Sequence, residues 1–528
     1  MMFQLHEKIR LPLDFPLLIA AAVISVATAS SPTTVEGQTQ FSVRFTREVH
    51  PRPFSGRVYV YFSRSEEPRR GPNWFRPEPM LAMDVENLPP GQSVELRAPE
   101  SKDRPGDVQR PATLVFPKGL DARSLAGLKA QAVIRFNPLD REVGTGTGNG
   151  FSAAAVVPGG EGPMELVVDR TVGAAAIADT GWTKVFKVPS RLLTEFHGRP
   201  VELVAAVQLP PSYGTSPERR YPVIFEVPGF GGALRHGMKG TPYSPATGNG
   251  VEFIHVFLDP NCPLGHHVFA DSENNGPVGR ALVEEFLPAL DLKFRTIASP
   301  AARFLTGHSS GGWSSLWLQV TYPDVFNGTW STAPDPVDFR DFQRIDLSRV
   351  GENMYVDPAG ARRPLARVGG KPILWYDDFA RMEDVLGPGG QLHSFEAVFS
   401  PRGSDGRPRL IWERETGAVD AAVAETWKRY DIRLILEENW ATLGPKLAGK
   451  LHVFMGDQDT FYLEGATKLL KGSLEKLGSD AVVEIHPGAD HSTLMTEQLK
   501  ARIPREMSER FLRMMPQDGA GNPIGAGR

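Results

Sequence analysis

Residues 304–313 read Phe-Leu-Thr-Gly-His-Ser-Ser-Gly-Gly-Trp, and this stretch decides which fold the chain is predicted to have. It predicts the end of an apolar strand, a sharp turn and a helix over 312–321. Gly307, Ser309 and Gly311 fit the pattern G-x-S-x-G, in which a strained turn projects the central serine away from the sheet. Glycine is favoured at both flanking positions because a side chain would clash there. We predict that Ser309 is a nucleophile, the alternative being a turn that is merely rich in glycine and serine.

Two later segments supply a carboxylate and an imidazole. Asp459 follows a predicted strand at 451–455, and His491 follows a predicted strand at 481–485. A serine hydroxyl needs a base within hydrogen-bond reach, and a carboxylate must then orient that base. Parallel strands end at one edge of a sheet, so the two side chains can converge on the serine. We therefore predict a catalytic triad of Ser309, Asp459 and His491.

Four neighbouring residues compete for these roles and fit them less well. Asp457 is better placed to bond the backbone of its own loop, as aspartate readily does. His486 still belongs to the end of its strand and precedes a proline. His308 is expected to pack against the sheet or to touch substrate. Ser310 would need glycine where His308 stands.

The same pattern predicts where an oxyanion would be held. The Ser310 N–H begins the helix after the serine, and the loop 228–232 (Pro-Gly-Phe-Gly-Gly) follows an earlier predicted strand at 222–227. Backbone N–H groups from these two places form the oxyanion hole in this arrangement. Ser310 and Phe230 are the predicted donors.

The remaining chemistry-bearing residues do not predict a cofactor or a metal. His266 and His267 form a lone pair without the spacing of a zinc site, and the sequence has no dinucleotide-binding or P-loop pattern. Cys262 is the only cysteine and precedes a proline, with no helix start after it, so it is not expected to be a nucleophile. We expect neither a cofactor nor a metal ion.

The pattern of apolar residues divides the chain into parts. Residues 30–185 contain short alternating strands such as 41–45, separated by Pro/Gly turns, and predict a β-sandwich domain. Residues 186–514 alternate strands and helices, which predicts a mostly parallel sheet flanked by helices, with residues 515–528 as a disordered tail. The N-terminal domain is interpreted either as a module that binds or positions an extended substrate or as a structural domain beside the active site.

Residues 335–445 interrupt the alternation of strands and helices. They predict a long insertion between two sheet strands, with its clearest helix over 421–439. Such insertions commonly cover the rim of an active site. Its many aromatic residues are interpreted either as a lid or substrate wall or, for most of them, as the core of the insertion itself.

The first 29 residues predict a secretory signal peptide. Lys8 and Arg10 precede an apolar run over 15–29, which ends in the cleavage pattern Ala27-Thr28-Ala29. The alternative is an N-terminal anchor helix, but the run is short for a membrane span. After cleavage we expect no stable membrane span.

The composition indicates which cellular compartment and which class of binding partner to expect. A single cysteine excludes an intramolecular disulfide, so an exported chain of this size is expected in a bacterial periplasm or secreted by a bacterium. The formal net charge of −4 gives no reason to expect nucleic acid as a partner. The oligomeric state is left open.

The motifs that carry a family resemblance are residues 221–224, 228–232, 269–272, 307–312, 456–461 and 490–492. Together they resemble the putative esterase family of α/β-hydrolases, which includes esterase D (S-formylglutathione hydrolase), enterochelin esterases, feruloyl esterase domains and mycolyltransferases. The resemblance covers roughly residues 200–335 and 446–510. An N-terminal β-domain before the hydrolase domain is similar to the enterochelin esterase arrangement.

The resemblance and the triad imply an α/β-hydrolase fold preceded by a β-sandwich. The expected activity is that of an exported serine esterase that forms an acyl-enzyme on a small-molecule or polysaccharide-linked ester. An acyltransferase with the same triad is the first alternative. A non-catalytic glycan-binding protein on a hydrolase fold is the second.

Overall fold

The computed structural model describes residues 40–98, 113–159 and 162–515, which form two large sheets. The predicted signal peptide lies outside the described residues, as does the predicted tail apart from Met515. Across the described ranges, no helix has both the length and the apolar character needed to cross a membrane.

The N-terminal part is built from short strands that join into one sheet. Its order is β4-β1-β9-β7-β6-β2-β3-β5, with β8 paired to β6. The strands are β1 (Gln40–Phe45), β2 (Phe54–Ser63), β3 (Met80–Leu88), β4 (Val94–Arg97), β5 (Leu114–Phe116), β6 (Lys129–Ile134), β7 (Gly150–Ser152), β8 (Ala155–Val156) and β9 (Met164–Thr171).

The predicted β-sandwich is not confirmed, because the described strands form a single hydrogen-bonded sheet instead of two. β1 and β2 stand four positions apart in that sheet, which would separate them by roughly 19 Å if the sheet were flat. The rings of Phe41 and Phe62, which lie on these two strands, are nevertheless 4.9 Å apart. The sheet therefore curls around a core of its own.

The C-terminal part is organised by a second sheet of eight strands. Its order is β10-β11-β13-β12-β18-β19-β22-β23, and all pairs from β13 to β23 are parallel. The strands of this part are β10 (Thr183–Pro189), β11 (Glu202–Gln208), β12 (Val223–Val227), β13 (Ile254–Leu258), β14 (Asn261–Cys262), β15 (Gly265–His266), β16 (Asp271–Ser272), β17 (Gly276–Pro277), β18 (Arg303–His308), β19 (Thr329–Thr332), β20 (Pro364–Val368), β21 (Lys371–Trp375), β22 (Leu451–Gly456) and β23 (Val482–His486).

Helices connect the parallel strands, and the predicted α/β-hydrolase fold is confirmed. They are α1 (Arg191–His197), α2 (Leu234–Gly237), α3 (Val278–Ala281), α4 (Leu287–Lys293), α5 (Ser310–Thr321), α6 (Tyr376–Leu386), α7 (Gln391–Phe399), α8 (Ala421–Trp427), α9 (Ile432–Leu447), α10 (Glu464–Lys476) and α11 (Glu497–Met514). A π-helical segment, Leu282–Phe286, joins α3 to α4 just before Pro288. The missing N–H of this proline is thus accommodated without ending the helical run.

The second sheet begins earlier than predicted. β10 starts at Thr183 and pairs along its whole length with β11. The predicted boundary between residues 185 and 186 falls inside this edge strand. The structural boundary between the two parts therefore precedes residue 183.

The insertion, predicted over 335–445, packs against the N-terminal sheet. Its predicted helix over 421–439 is two helices, α8 and α9, separated by a 3-10 turn. Trp412 and Trp427 are buried in a hydrophobic cluster that also contains Tyr59 and Tyr61 of β2. Most aromatic residues of the insertion therefore form a hydrophobic core, and they share this core with the outer face of the N-terminal sheet.

Candidate active site

Ser309 occupies a strained turn between β18 and α5. Its backbone has φ 60° and ψ −126°, a conformation that residues other than glycine adopt only under constraint. A Cβ on Gly307 would lie 2.1 Å from the Gly311 carbonyl oxygen, and one on Gly311 would lie 1.8 Å from that of Val227. Close packing thus forces both glycines of the pattern and fixes the direction of the serine.

Asp459 and His491 meet beside this turn. The His491 Nδ1–H donates to Asp459 Oδ2 at 2.7 Å, and the Asp459 side chain is fully buried. The Phe461 N–H donates to the other carboxylate oxygen at 2.8 Å, and the Phe461 ring stands edge-on to His491 with centroids 5.0 Å apart. This tautomer leaves Nε2 of His491 free to accept a proton.

The imidazole lies close to the serine turn. The His308 ring, adjacent to Ser309 in the chain, lies 4.6 Å from the His491 ring. Burial opposes the charged imidazolium, but the charge of Asp459 and its hydrogen bond raise the pKa of His491 above its ordinary value. Burial lowers the pKa of His308 to about 3, and its Nδ1 bonds Thr332 Oγ1, so His308 stays neutral beside the base.

The loop after β12 lies against the serine. A Cβ on Gly229 would lie 3.1 Å from Ser309 Cβ and 3.7 Å from its Oγ. The Gly232 N–H closes a turn on the Gly229 carbonyl at 2.9 Å, with Gly231 at φ 82°, where glycine is required. This hydrogen bond does not involve the Phe230 N–H, which is the predicted oxyanion donor.

The comparison with protein families covers Ser309 and Asp459 but ends before His491. The family model described as "Putative esterase" matches residues 200–464, which is half of the chain. The chain belongs to this esterase family. No curated protein matches it.

Solved structures similar to this esterase share little sequence with it. The S-formylglutathione hydrolase from Agrobacterium tumefaciens has 16% identity and a TM-score of 0.39, and the match covers 64% of this chain and 98% of that one. A ferulic acid esterase has 13% identity and a TM-score of 0.36, with 63% and 99% covered. The fluorophosphonate-binding serine hydrolase F of Staphylococcus aureus has 13% identity and a TM-score of 0.38, with 63% and 99% covered.

The esterase holds a second buried carboxylate that the sequence analysis did not single out. Ser310 Oγ donates to Asp335 Oδ2 at 2.6 Å, and the Asp335 N–H donates to the Ser309 carbonyl at 3.3 Å. Burial raises the pKa of Asp335 to about 6, against the hydrogen bonds of Ser310 and Ser309 and the charge of His491, which lower it. Asp335 follows β19, the strand beside β18, so its place at a parallel strand end was the signal that could have found it.

The insertion adds one polar side chain to the site. Gln391, the first residue of α7, donates its Nε2 to Ser310 Oγ at 3.1 Å. Glu383 of α6 accepts the backbone N–H groups of Gln391 and of the two residues after it, and so holds the start of α7 in place. No sequence motif marked Gln391, because its position depends on how two helices of the insertion pack.

Asp457 and His486, which competed for the roles of acid and base, make other contacts. Asp457 accepts the Gly488 N–H at 2.7 Å, a loop-backbone bond, and His486 ends β23. Burial raises the pKa of Cys262 to about 12, which keeps the thiol protonated. His266 donates to the Pro228 carbonyl at 2.8 Å, so this histidine supports the loop after β12. Within the described part of the chain, no group of three or more His, Cys, Asp or Glu side chains is arranged to hold a metal ion.

Proposed function

We propose that this chain is a serine hydrolase that cleaves carboxylic esters through an acyl-enzyme. The observation that carries the proposal is the hydrogen bond from His491 to the buried Asp459 beside a serine held on a strained turn. Membership of the esterase family supports the same reaction class. Export through the predicted signal peptide remains part of the proposal.

The proposed mechanism follows from the tautomer of His491. Nε2 removes the proton of Ser309 as Oγ attacks the ester carbonyl carbon, and the resulting imidazolium is stabilised by Asp459. That proton passes to the leaving alkoxide when the C–O bond breaks, which releases the alcohol and leaves Ser309 acylated. Water, deprotonated by His491, then attacks the acyl carbon of the acyl-enzyme. The bond from that carbon to Ser309 Oγ breaks, His491 returns the proton to Oγ, and the acid is released.

The oxyanion of each tetrahedral intermediate would lie between two backbone donors. The Ser310 N–H opens α5, so its direction is set by the helix, and the Phe230 N–H is supplied by the turn after β12. Losing one such donor costs about 3–4 kcal/mol of transition-state stabilisation in enzymes of this kind.

A fluorophosphonate probe tests the assignment. Such a probe forms a covalent bond with an activated serine, and we expect one label per chain, on Ser309. Ser309→Ala should abolish both labelling and the turnover of p-nitrophenyl esters. Ser310→Ala is the matched control, because it removes the neighbouring hydroxyl but keeps the backbone N–H, and its Ser309 should still be labelled.

The same assay separates the predicted alternatives. An added acceptor alcohol gives a new ester if acyl transfer competes with hydrolysis. Labelling that persists in Ser309→Ala contradicts the triad assignment. Glycan binding without any ester turnover contradicts the enzyme proposal as a whole.

A further inference from the structure

A tight turn of the N-terminal part reaches the candidate active site with two aromatic rings at its tip. We call residues 73–76 the aromatic turn: Asn73 and Arg76 pair as a β-bridge, and the Phe75 N–H donates to Asn73 Oδ1 at 2.9 Å. Trp74 and Phe75 at the tip are only partly buried. Turn tips favour small polar residues and glycine, so two adjacent aromatic rings there indicate a contact surface.

The two rings contact the two loops that flank Ser309. We call residues 229–232, which form the turn after β12, the oxyanion turn. Trp74 stacks on Phe230 of this turn, with centroids 5.4 Å apart and ring planes 26° apart. Phe75 lies 6.2 Å from Phe461, whose ring in turn contacts His491. Because adjacent Cα atoms are about 3.8 Å apart, the aromatic turn spans from one loop to the other beside the nucleophile.

A second residue of the N-terminal part holds the same phenylalanine. The Arg141 guanidinium lies 4.6 Å from the centroid of the Phe230 ring, and its Nε donates to Asn261 Oδ1 at 2.8 Å. Asn261 donates in turn to the carbonyl of Gly232 at 2.7 Å. Arg141 therefore stabilises both the ring at the tip of the oxyanion turn and the residue that closes it.

The two N-terminal loops that carry Trp74 and Arg141 are bound to each other. Arg69 donates to the Gly144 carbonyl at 2.7 Å, and a Cβ on Gly144 would lie 1.7 Å from the Arg69 carbonyl oxygen. Such a close backbone approach leaves little room for relative movement. Trp74 and Arg141 thus reach Phe230 from two loops that are joined by the contact of Arg69 with Gly144.

We propose that Trp74 and Arg141 are positioning residues of the esterase, which hold the Phe230 N–H where the oxyanion forms. This proposal rests on the proposed function. The oxyanion turn itself is glycine-rich, at Gly229, Gly231 and Gly232, and such a segment has high intrinsic conformational freedom. External contacts on the one large side chain of the turn therefore add to the backbone hydrogen bonds that hold its direction.

The test compares transition-state and ground-state binding in full-length variants. In Trp74→Ala and Arg141→Gln we expect kcat to fall by about 10- to 100-fold, because a small displacement of a donor has effects of that size. The affinity for a trifluoromethyl ketone, which forms a tetrahedral oxyanion on the serine, should fall by the same factor. KM should stay within about threefold, since the donor acts on the transition state.

Two further variants separate positioning from folding. Trp74→Phe keeps a ring on Phe230 and should recover most of kcat. Tyr59→Phe removes a different interdomain hydrogen bond, from Tyr59 Oη to the Leu386 carbonyl, and should leave kcat and ketone affinity unchanged. Arg141→Gln tests the contact independently if Trp74→Ala folds poorly.

Three results would overturn the proposal: unchanged kcat in both variants, unchanged ketone affinity with raised KM, or an equal loss of kcat in Tyr59→Phe. If Trp74 and Arg141 formed only a wall for the substrate, their variants would raise KM and leave the ketone affinity unchanged. The end-point of fluorophosphonate labelling distinguishes failure of the positioning proposal from failure of the proposed serine hydrolase function. Labelling of wild type and variants to one probe per chain retains the serine hydrolase, whereas an unlabelled wild type rejects the proposed function.

Discussion

At the scale of single residues, two buried carboxylates control the proposed base. Asp459 is fully buried and bonded to His491, while Asp335 is 5% exposed and bonded to Ser310. Both negative charges raise the pKa of His491, against the burial that lowers it. The base acts only when neutral, so kcat/KM should rise with pH through a value above 6.5.

Asp459→Asn should affect both the rate and its pH dependence. An amide cannot stabilise the imidazolium, so kcat should fall by roughly 10⁴-fold. Without the carboxylate the imidazolium loses its proton more readily, so the acidic limb of the pH–rate profile should move to lower pH. Asp457→Asn is the matched control and should change kcat only a few-fold, because Asp457 bonds loop backbone. A larger loss in the control would assign the acid to Asp457.

Asp335→Asn should stabilise the fold at neutral pH. The pKa of Asp335 is raised from 3.8 to about 6, so the carboxyl favours folding below pH 4 and this contribution is lost as pH rises through 6. Asparagine can still accept the Ser310 hydrogen bond but never ionises. Chemical denaturation should give a gain of up to about 3 kcal/mol at pH 8 that disappears near pH 4. A gain that is independent of pH would contradict this explanation.

At the scale of elements, the strand–turn–helix unit of β18 and α5 depends on the absence of side chains. Gly311→Ala would place a Cβ 1.8 Å from the backbone oxygen of Val227 in the neighbouring strand β12. Val227 belongs to the paired strand β12 and Gly311 to the first turn of α5, so relief of the clash would disturb the sheet or the helix. We therefore expect a loss of about 3 kcal/mol or more in the free energy of unfolding.

Gly472 on α10 is the matched control for this substitution. A Cβ there meets nothing within 4 Å, so Gly472→Ala should stabilise the chain by about 0.5–1 kcal/mol. Denaturant titration of both variants measures the difference. A Gly311→Ala variant as stable as wild type would mean that the turn tolerates rearrangement.

The sequence predicted those features that local patterns determine. The serine turn, the strands around it and the order of acid and histidine follow from short-range periodicity and from glycine positions. Asp335 and Gln391 escaped prediction because their contacts with Ser310 depend on how β19 and the insertion pack against the serine turn. The position of Asp335 after a parallel strand was a signal for it, whereas no spacing along the chain encodes the contact of Gln391.

The N-terminal strands illustrate the same limit. Alternation predicted strands such as β1 and β2, since it reports which side chains share a face. It does not report whether two strands belong to one curled sheet or to two stacked sheets, because both bury the same alternate residues. The contact of Phe41 with Phe62 fits either arrangement, and only the hydrogen-bonded strand order distinguishes them.

At the scale of the whole molecule, the two parts share one hydrophobic cluster. Tyr59 and Tyr61 of the N-terminal sheet are buried against the insertion together with Trp313 of α5. We expect the chain to unfold in a single transition. Far-UV circular dichroism, which reports both sheets, and tryptophan fluorescence, which reports mainly the C-terminal part, should coincide in a urea titration.

Tyr59→Phe extends that test. Losing the hydroxyl leaves the Leu386 carbonyl without its partner, which costs about 1–3 kcal/mol. Both signals should move to lower urea together. Two separated transitions, or a shift confined to one signal, would show that the parts unfold independently.

The shared cluster also has a consequence for synthesis on the ribosome. The N-terminal side chains that contact the cluster end at Phe151 of β7, whereas the part of the cluster that covers them extends to Leu447 and beyond, about 300 residues later. At about 5–20 residues per second, the nascent chain exposes an aromatic surface for roughly 15–60 s before its cover emerges. Holdase chaperones would bind the exposed aromatic surface during that interval, and slower translation would lengthen the interval.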